Sequence, residues 1–216
     1  MSLDFKLRRT LRGLGHRPAL WNPTWMAPLS AGEIEDLFDE PTDAEVLYSE
    51  AVEIWDSCES DNLVDRTSEF FTRLYLTDDI LTKSDRASML VSLELRAPFL
   101  DNDLVEFATR LPARHKYRRG DTKHLLRKAF AGTLPDPIVK RPKKGFGIPL
   151  SAWLRELPAP SIEGTALPVD EAWLADRWNE HAGRRADWRQ ALWCWLTLRN
   201  GGLATPRNVE RTGLTT

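Results

Sequence analysis

Lys83-Ser84-Asp85-Arg86-Ala87-Ser88-Met89, Glu94-Leu95-Arg96-Ala97-Pro98-Phe99-Leu100-Asp101 and Arg141-Pro142-Lys143-Lys144-Gly145-Phe146-Gly147-Ile148-Pro149 are the three words on which the reading of this 216-residue chain turns. Each is short and charged, and each lies among segments with helical spacing. In and just before the first, Leu81, Ser84, Asp85 and Ser88 share one helical face. An Asp on such a face is either paired or functional, because an isolated buried carboxylate is too costly. Pro98 breaks the second word, and Asp101 or Asp103 is placed to cap a helix through Leu104, Val105, Phe107 and Ala108 that stops at Leu111-Pro112. The third word, with two prolines and two glycines among basic side chains, has the composition of a loop.

Upstream of these words the pattern is mostly helical. Leu3, Leu7, Leu11 and Leu14 form a stripe with Lys6, Arg8, Arg9 and Arg12 between them, and Gly13 and Gly15 end it. Packing against a domain is the ordinary use of such a stripe. From Arg17 to Pro28 three prolines among Trp21, Trp25 and Met26 predict an irregular segment pinned by buried aromatics. Ser30 with Glu33, and Thr42 with Glu45, have the capping-box spacing. The second box opens a helix with Val46, Leu47, Ala51, Ile54 and Trp55 on one face. A strongly apolar helix is expected over 67–76, and Thr77 with Asp78 and Asp79 is placed to cap the next.

Downstream, Gly120-Asp121 opens a helix with Leu125, Leu126, Ala129 and Phe130 that Gly132 closes, and Asp136-Pro137 starts a short helical turn. A Pro-rich surface connection follows over 157–168. Two Trp-laden helices come next, one with Trp173, Leu174 and Trp178, the other with Trp188, Leu192, Trp193, Trp195 and Leu196. Residues 201–216 have little to bury and are expected to fray. No strand pattern of useful length occurs, so the expected class is mainly α.

The bulk composition narrows the function. At this length the chain holds one ordinary domain, with room for a small appendage. Thirty basic against 32 acidic residues leave a formal charge of −2. No global field favours nucleic acid or a membrane surface, and the local cluster Lys140, Arg141, Lys143 and Lys144 is the exception. Cys58 and Cys194 lack the spacing of a disulfide framework or a zinc site, so no metal site is expected and a reducing, cytoplasmic setting fits. The N-terminal stretch lacks the unbroken apolar run of a secretory signal.

The three words resemble the C-terminal part of the synthetase domain of glutamine-hydrolysing asparagine synthetases. Residues 67–153 carry the strongest likeness, within a partial synthetase domain expected over 1–200. The resemblance implies the helical C-terminal portion of an α/β ATP-pyrophosphatase-type domain, without its parallel-sheet nucleotide half. It further implies ATP-dependent amide-bond formation: a carboxylate is adenylated, then attacked by ammonia released from glutamine. ATP and Mg2+ are the implied cofactors.

Carried over residue by residue, the resemblance makes Lys143 the cation that stabilises pyrophosphate and intermediate, and Glu94 the carboxylate that orders a proton carrier or the ammonia. Asp85, Arg86, Arg96, Lys144 and Gly145 become site-lining or supporting residues. Lys123 and Arg127 match a Gly-x-x-Lys-x-x-Leu-Arg word and become secondary, bracing candidates. On composition alone Lys143 and Lys144 also read as a solvated basic loop, and Asp85 with Arg86 and Glu94 with Arg96 as an internal ion-pair network that fastens helix to loop. His115 and His124 sit in no catalytic word and read as surface or structural histidines.

The family's Ser-Gly-Gly-x-Asp-Ser ATP loop is absent from these 216 residues, as is the N-terminal nucleophilic Cys of its glutaminase domain. The implied partner is therefore a second chain carrying the ATP loop and glutaminase domain, with a homodimer as a further expectation. Half of a split ligase acting on another carboxylate, and a non-catalytic helical interaction remnant, are the alternative readings.

Overall fold

Helical periodicity with no strand pattern predicts a mainly α chain, and in a computed structural model of the protein the described residues are mostly helical. It describes residues 3–142, 147–159 and 168–200. The helices are α1 (Leu3–Leu14), α2 (Trp21–Met26), α3 (Ala31–Phe38), α4 (Ala44–Leu47), α5 (Ser49–Ser57), α6 (Leu63–Phe70), α7 (Thr82–Met89), α8 (Asn102–Arg110), α9 (Ala113–Lys116), α10 (His124–Ala129), α11 (Asp136–Val139), α12 (Leu150–Glu156), α13 (Glu171–Ala182) and α14 (Arg189–Asn200). Among the described residues there is no strand, only isolated bridges at Arg118–Asp121 and Ala131–Leu134. The Pro-rich connection lies largely outside the described residues, as does the segment 201–216.

Two compact units result. One comprises the described residues of Met1–Arg12, Thr24–Leu47 and Phe146–Thr216; the other comprises those of Gly13–Pro23 and Tyr48–Gly145. In the first unit the Ser30–Glu33 capping box is formed: Ser30 Oγ accepts from the Glu33 amide, and the Glu33 carboxylate accepts from the Ser30 amide at 2.7 Å. The end of α3 is tied to the start of α13, since the Asp170 amide donates to the Leu37 carbonyl at 2.7 Å while the Asp170 side chain caps α13. Around that tie Leu29, Leu37, Leu174 and Trp195 are buried together, and Leu154, Trp178 and Leu192 form a second buried group. Trp188 packs against both, so the tryptophan periodicity of α13 and α14 is spent on a core.

The polar pin of this unit is His181, 1% exposed. Its Nδ1 accepts from the Trp188 amide at 3.1 Å, which leaves Nε2 to donate to the Ser151 carbonyl at 3.3 Å. The bond at Nδ1 requires the neutral ring, since a protonated Nδ1 cannot accept. Burial, and then the Arg155 guanidinium, hold the His181 pKa below its ordinary 6.5, while the Ser151 carbonyl and Asp187 pull the other way. Arg155 also donates to the His181 carbonyl at 3.1 Å, binding α12 to α13.

In the second unit α5 buries Ala51, Ile54 and Trp55, and Ala19 and Leu20 are buried as well. Arg66 donates to the Trp55 carbonyl at 2.9 Å and the Ser60 carbonyl at 2.7 Å, with its guanidinium 5.9 Å from the Trp55 ring. Lys116 donates to Asp65 at 2.9 Å and to the Thr109 carbonyl, joining α9 to α6 and holding the Asp65 carboxyl below its usual range. Asp101 is the cap of α8, its side chain accepting from the Leu104 amide at 3.2 Å.

Several local expectations are corrected. Residues 18–26 are helical, and Trp21 and Trp25 are 39% and 41% exposed, so Ala19 and Leu20 provide the buried contacts there. Asp43 rather than Thr42 accepts from the Glu45 amide, at 2.8 Å, and the Thr42 hydroxyl turns back to the Glu40 carbonyl. The helix that follows is interrupted at Tyr48, which leaves Val46 73% exposed. No break occurs at Thr77: Phe71–Leu81 runs as a wide π-helix, and the Thr77 and Thr82 hydroxyls bond carbonyls five residues back.

The His181 geometry fixes a pH dependence. A histidine whose folded pKa is depressed contributes stability that is fully present above its unfolded value and is lost as pH falls through the folded one. The thermal midpoint of the chain should therefore fall as pH is lowered from 7.5 to below 6.5. His181→Gln, which cannot take up the proton, should flatten that slope in a melting series across the same range. A slope as steep as wild type would show that other groups control it.

Candidate functional site

A tight turn orders a stretch of the second unit that gathers several basic side chains over an apolar floor. Arg119 and Gly120 both have positive φ, 49° and 88°, and Arg118 and Asp121 exchange backbone hydrogen bonds at 3.0 and 2.9 Å. Gly120 is needed at this point because side chains rarely adopt that backbone region. The turn delivers Asp121 to the start of α10, where its carboxylate accepts from the Lys123 amide at 3.0 Å and pairs with Arg127 at 3.2 Å. His124 Nδ1 lies 3.8 Å from the same carboxylate, a structural position.

From there Leu126 and Phe130 share one face of α10, Gly132 turns the chain with φ 81°, and α11 follows. The outcome is an open groove of about 420 Å³. Its floor is made by Phe99, Leu126, Phe130, Leu134, Ile138 and Val139; Lys123, Arg127 and Arg141 stand along it. Three words distant in sequence thus meet: the Pro-Phe-Leu-Asp word through Phe99, the Lys123–Arg127 word, and the Arg-Pro start of the basic loop.

The other expected site residues are placed differently. Glu94 and Arg96 pair at 2.6 Å, but with side chains 70% and 84% exposed. The expectation of an internal network is corrected: this is a surface pair, formed in the irregular stretch between α7 and the turn at Pro98. Asp85 and Arg86 are exposed on α7, while Ser88 on the same helix is buried and bonds the Asp85 carbonyl. None of these four residues lines the groove. Lys143, Lys144 and Gly145 lie outside the described residues. Phe99 and Arg141 are among the groove residues that motif reading passed over as site candidates. The membership of Arg141 in the local basic cluster was the available signal for it; Phe99 had none beyond its word.

Among the described residues no three His, Cys, Asp or Glu side chains come together as a metal site, and no helix is long and apolar enough to cross a membrane.

The profile of the family described as asparagine synthase matches residues 4–203, and the chain belongs to that family. Among curated relatives, asparagine synthetase [glutamine-hydrolyzing] 1 of Bacillus subtilis is 32% identical over 125 residues, covering 55% of this chain and 20% of the relative. A putative asparagine synthetase [glutamine-hydrolyzing] of Mycobacterium tuberculosis is 47% identical over 81 residues, 38% of this chain and 12% of its own. The human asparagine synthetase [glutamine-hydrolyzing] is 27% identical over 156 residues, covering 60% and 27% respectively. The chain thus spans about a quarter or less of the length of these relatives. No solved structure matches.

The exposure of the Glu94–Arg96 pair leaves little cost to breaking it. Arg96→Ala should change unfolding free energy by less than about 0.5 kcal/mol, the scale of surface substitutions. Chemical denaturation of the two proteins side by side measures this, and a loss of several kcal/mol would mean that the pair is covered in solution.

Proposed function

We propose that this member of the asparagine synthase family contributes the helical, cation-bearing part of an ATP-dependent amide ligase, and that a further stretch of polypeptide, on this or another chain, supplies the ATP loop. What supports the reading is the meeting of the Phe99, Lys123–Arg127 and Arg141-Pro142 words in one groove, directly before Lys143 in the sequence. In this reaction a carboxylate oxygen attacks the α-phosphorus of ATP and displaces pyrophosphate, and ammonia then attacks the acyl carbon and displaces AMP. Negative charge grows on the phosphate oxygens in the first step, so fixed cations shielded from water lower its barrier. Lys143 has that role, with Arg127 held in place by Asp121. Glu94 orders the incoming ammonia or takes its proton.

The described residues fit the anion and not the metal. Three basic side chains suit phosphate or carboxylate oxygens, whereas no acidic cluster among them would hold Mg2+. The reading assigns the magnesium ligands to the complementary polypeptide. The reading sets that polypeptide against the end of α7 and the stretch after it, where Met89, Leu90, Val91, Leu93 and Leu95 are all more than half exposed, Leu90 by 86%. Apolar surface of this kind, beside the Glu94 word, is what a covering layer would remove from water. The reading assigns these residues to the contact with the nucleotide-binding part.

Reconstitution tests the proposal. The 216-residue chain alone should release no pyrophosphate from ATP in the presence of a carboxylate substrate, and should do so when combined with a polypeptide carrying the family's ATP loop. In the combined system Lys143→Ala should lower turnover by about a hundredfold, the scale for loss of one transition-state charge donor. Activity of the chain alone would overturn the division of labour. An effect of Lys143→Ala below about threefold would return that residue to a solvated loop. No activity in any combination would favour the non-catalytic interaction module.

A further inference from the structure

We infer that His181 and Asp187 form a proton-operated latch on α12. With the ring neutral, α12 is held against α13; with a proton on Nδ1, the ring turns to Asp187 and α12 is released. The inference is independent of the ligase reading. It concerns the point at which the chain leaves the basic word, because α12 begins at Leu150, directly after Pro149.

In the closed state the ring and the carbonyl of His181 both serve the junction. Nε2 donates to the Ser151 carbonyl at 3.3 Å and Arg155 donates to the His181 carbonyl at 3.1 Å, so two bonds of opposite sense fasten one turn of α12. Leu154, within that turn, is 1% exposed. On the other side of the ring, Nδ1 accepts from the Trp188 amide at 3.1 Å. Trp188 stands just before α14, where its carbonyl accepts from the Leu192 amide. Its own N–H therefore lies outside the helical ladder and takes His181 as its acceptor.

A proton from solvent can enter only at Nδ1, because Nε2 already carries one. There it occupies the lone pair that Trp188 uses. The new N–H has an acceptor waiting, since Asp187 Oδ1 lies 3.8 Å from Nδ1. Arg189 holds that carboxylate in place, its Nε donating to both oxygens at 2.9 Å, and lone pairs remain for the ring. Closing the gap to a hydrogen bond moves Nδ1 by about 1 Å, and the rigid ring carries Nε2 off a carbonyl it reaches only at 3.3 Å. Arg155 then faces a like charge, which weakens its hold on the His181 carbonyl, and Arg189 adds to the repulsion. Glu180 does not compete for the ring, being taken by the Trp188 indole at 2.7 Å with Arg177 3.6 Å away. Burial and Arg155 keep the ring uncharged at neutral pH, so the latch is closed there and opens as pH falls.

The experiment follows amide hydrogen exchange of the whole chain between about pH 7.5 and 5.0, corrected for the intrinsic rate, while NMR reads the His181 ring titration. Protection of the Trp188 amide and of the α12 amides should fall together by about tenfold or more across this range, and α5 in the other unit should keep its protection. Asp187→Asn keeps the bonds of the neutral ring and removes the acceptor for the charged one, so the midpoint of the fall should move about one pH unit lower. A cap or packing role for Asp187 would instead lower protection equally at every pH. His181→Gln, which cannot take the proton, should abolish the fall. Unchanged α12 protection through the ring titration would overturn the latch, as would α5 losing protection in step with α12 or a ring that stays neutral throughout. An unmoved or raised midpoint in folded Asp187→Asn would overturn it too. Should a variant fail to fold, the wild-type profiles of Trp188, α12 and α5 against the ring titration decide alone.

Discussion

A helix with an apolar stripe must bury it on something, and in this chain the described residues offer no sheet to serve. Helices have only one another, and this constraint divides the molecule by how well each part satisfies it. Where α3, α12, α13 and α14 face each other, large side chains close the gap: Trp178 and Trp195 are buried, and Trp188 bridges two buried groups. The neutral His181 ring then ties three of these elements through bonds that only one tautomer can make. After α7 the same constraint is left unmet. Leu90, Val91 and Phe99 are among the most exposed apolar side chains described, although each stands in or beside a word that the family resemblance ties to chemistry.

That contrast explains what the sequence made legible. Features set by a few neighbouring residues were readable: the Ser30–Glu33 capping box, the Asp101 cap, and the glycines at 120 and 132 that sit at positive φ. Features decided by competition between adjacent candidates were less so. Asp43 displaced Thr42 as a cap because a carboxylate one residue on reaches the same amide, and the wide turns of Phe71–Leu81 carried the backbone through Thr77 without a break. Burial was the least readable, since periodicity marks a stripe without saying what covers it. Trp21 and Trp25 appear as core residues by type and stand half open to solvent, while their small neighbour Ala19 is buried.

The candidate site divides along the same line. Motif words identified Lys123 and Arg127, and the fold brings both to a groove. The words could not reveal that Phe99 and Arg141 would join them, because that meeting depends on how the chain returns after the turn at Gly132. Nor could they show that Glu94 and Arg96 would pair in the open, where solvent screening leaves the pair little stabilising value. Lys143, the residue with the clearest chemical role in the family pattern, lies outside the described residues, so its standing rests on sequence adjacency to Pro142.

Asp121 gives the groove its internal logic. By accepting the Lys123 amide and pairing with Arg127, a single carboxylate sets the direction of two basic residues at the start of one short helix. It neutralises one of them only, so the lining retains an excess of positive charge over an apolar floor. Such an arrangement is costly to leave facing water on the apolar side and self-repelling on the charged side. Whatever covers this face gains on both counts, by meeting the charge and by removing apolar side chains from water.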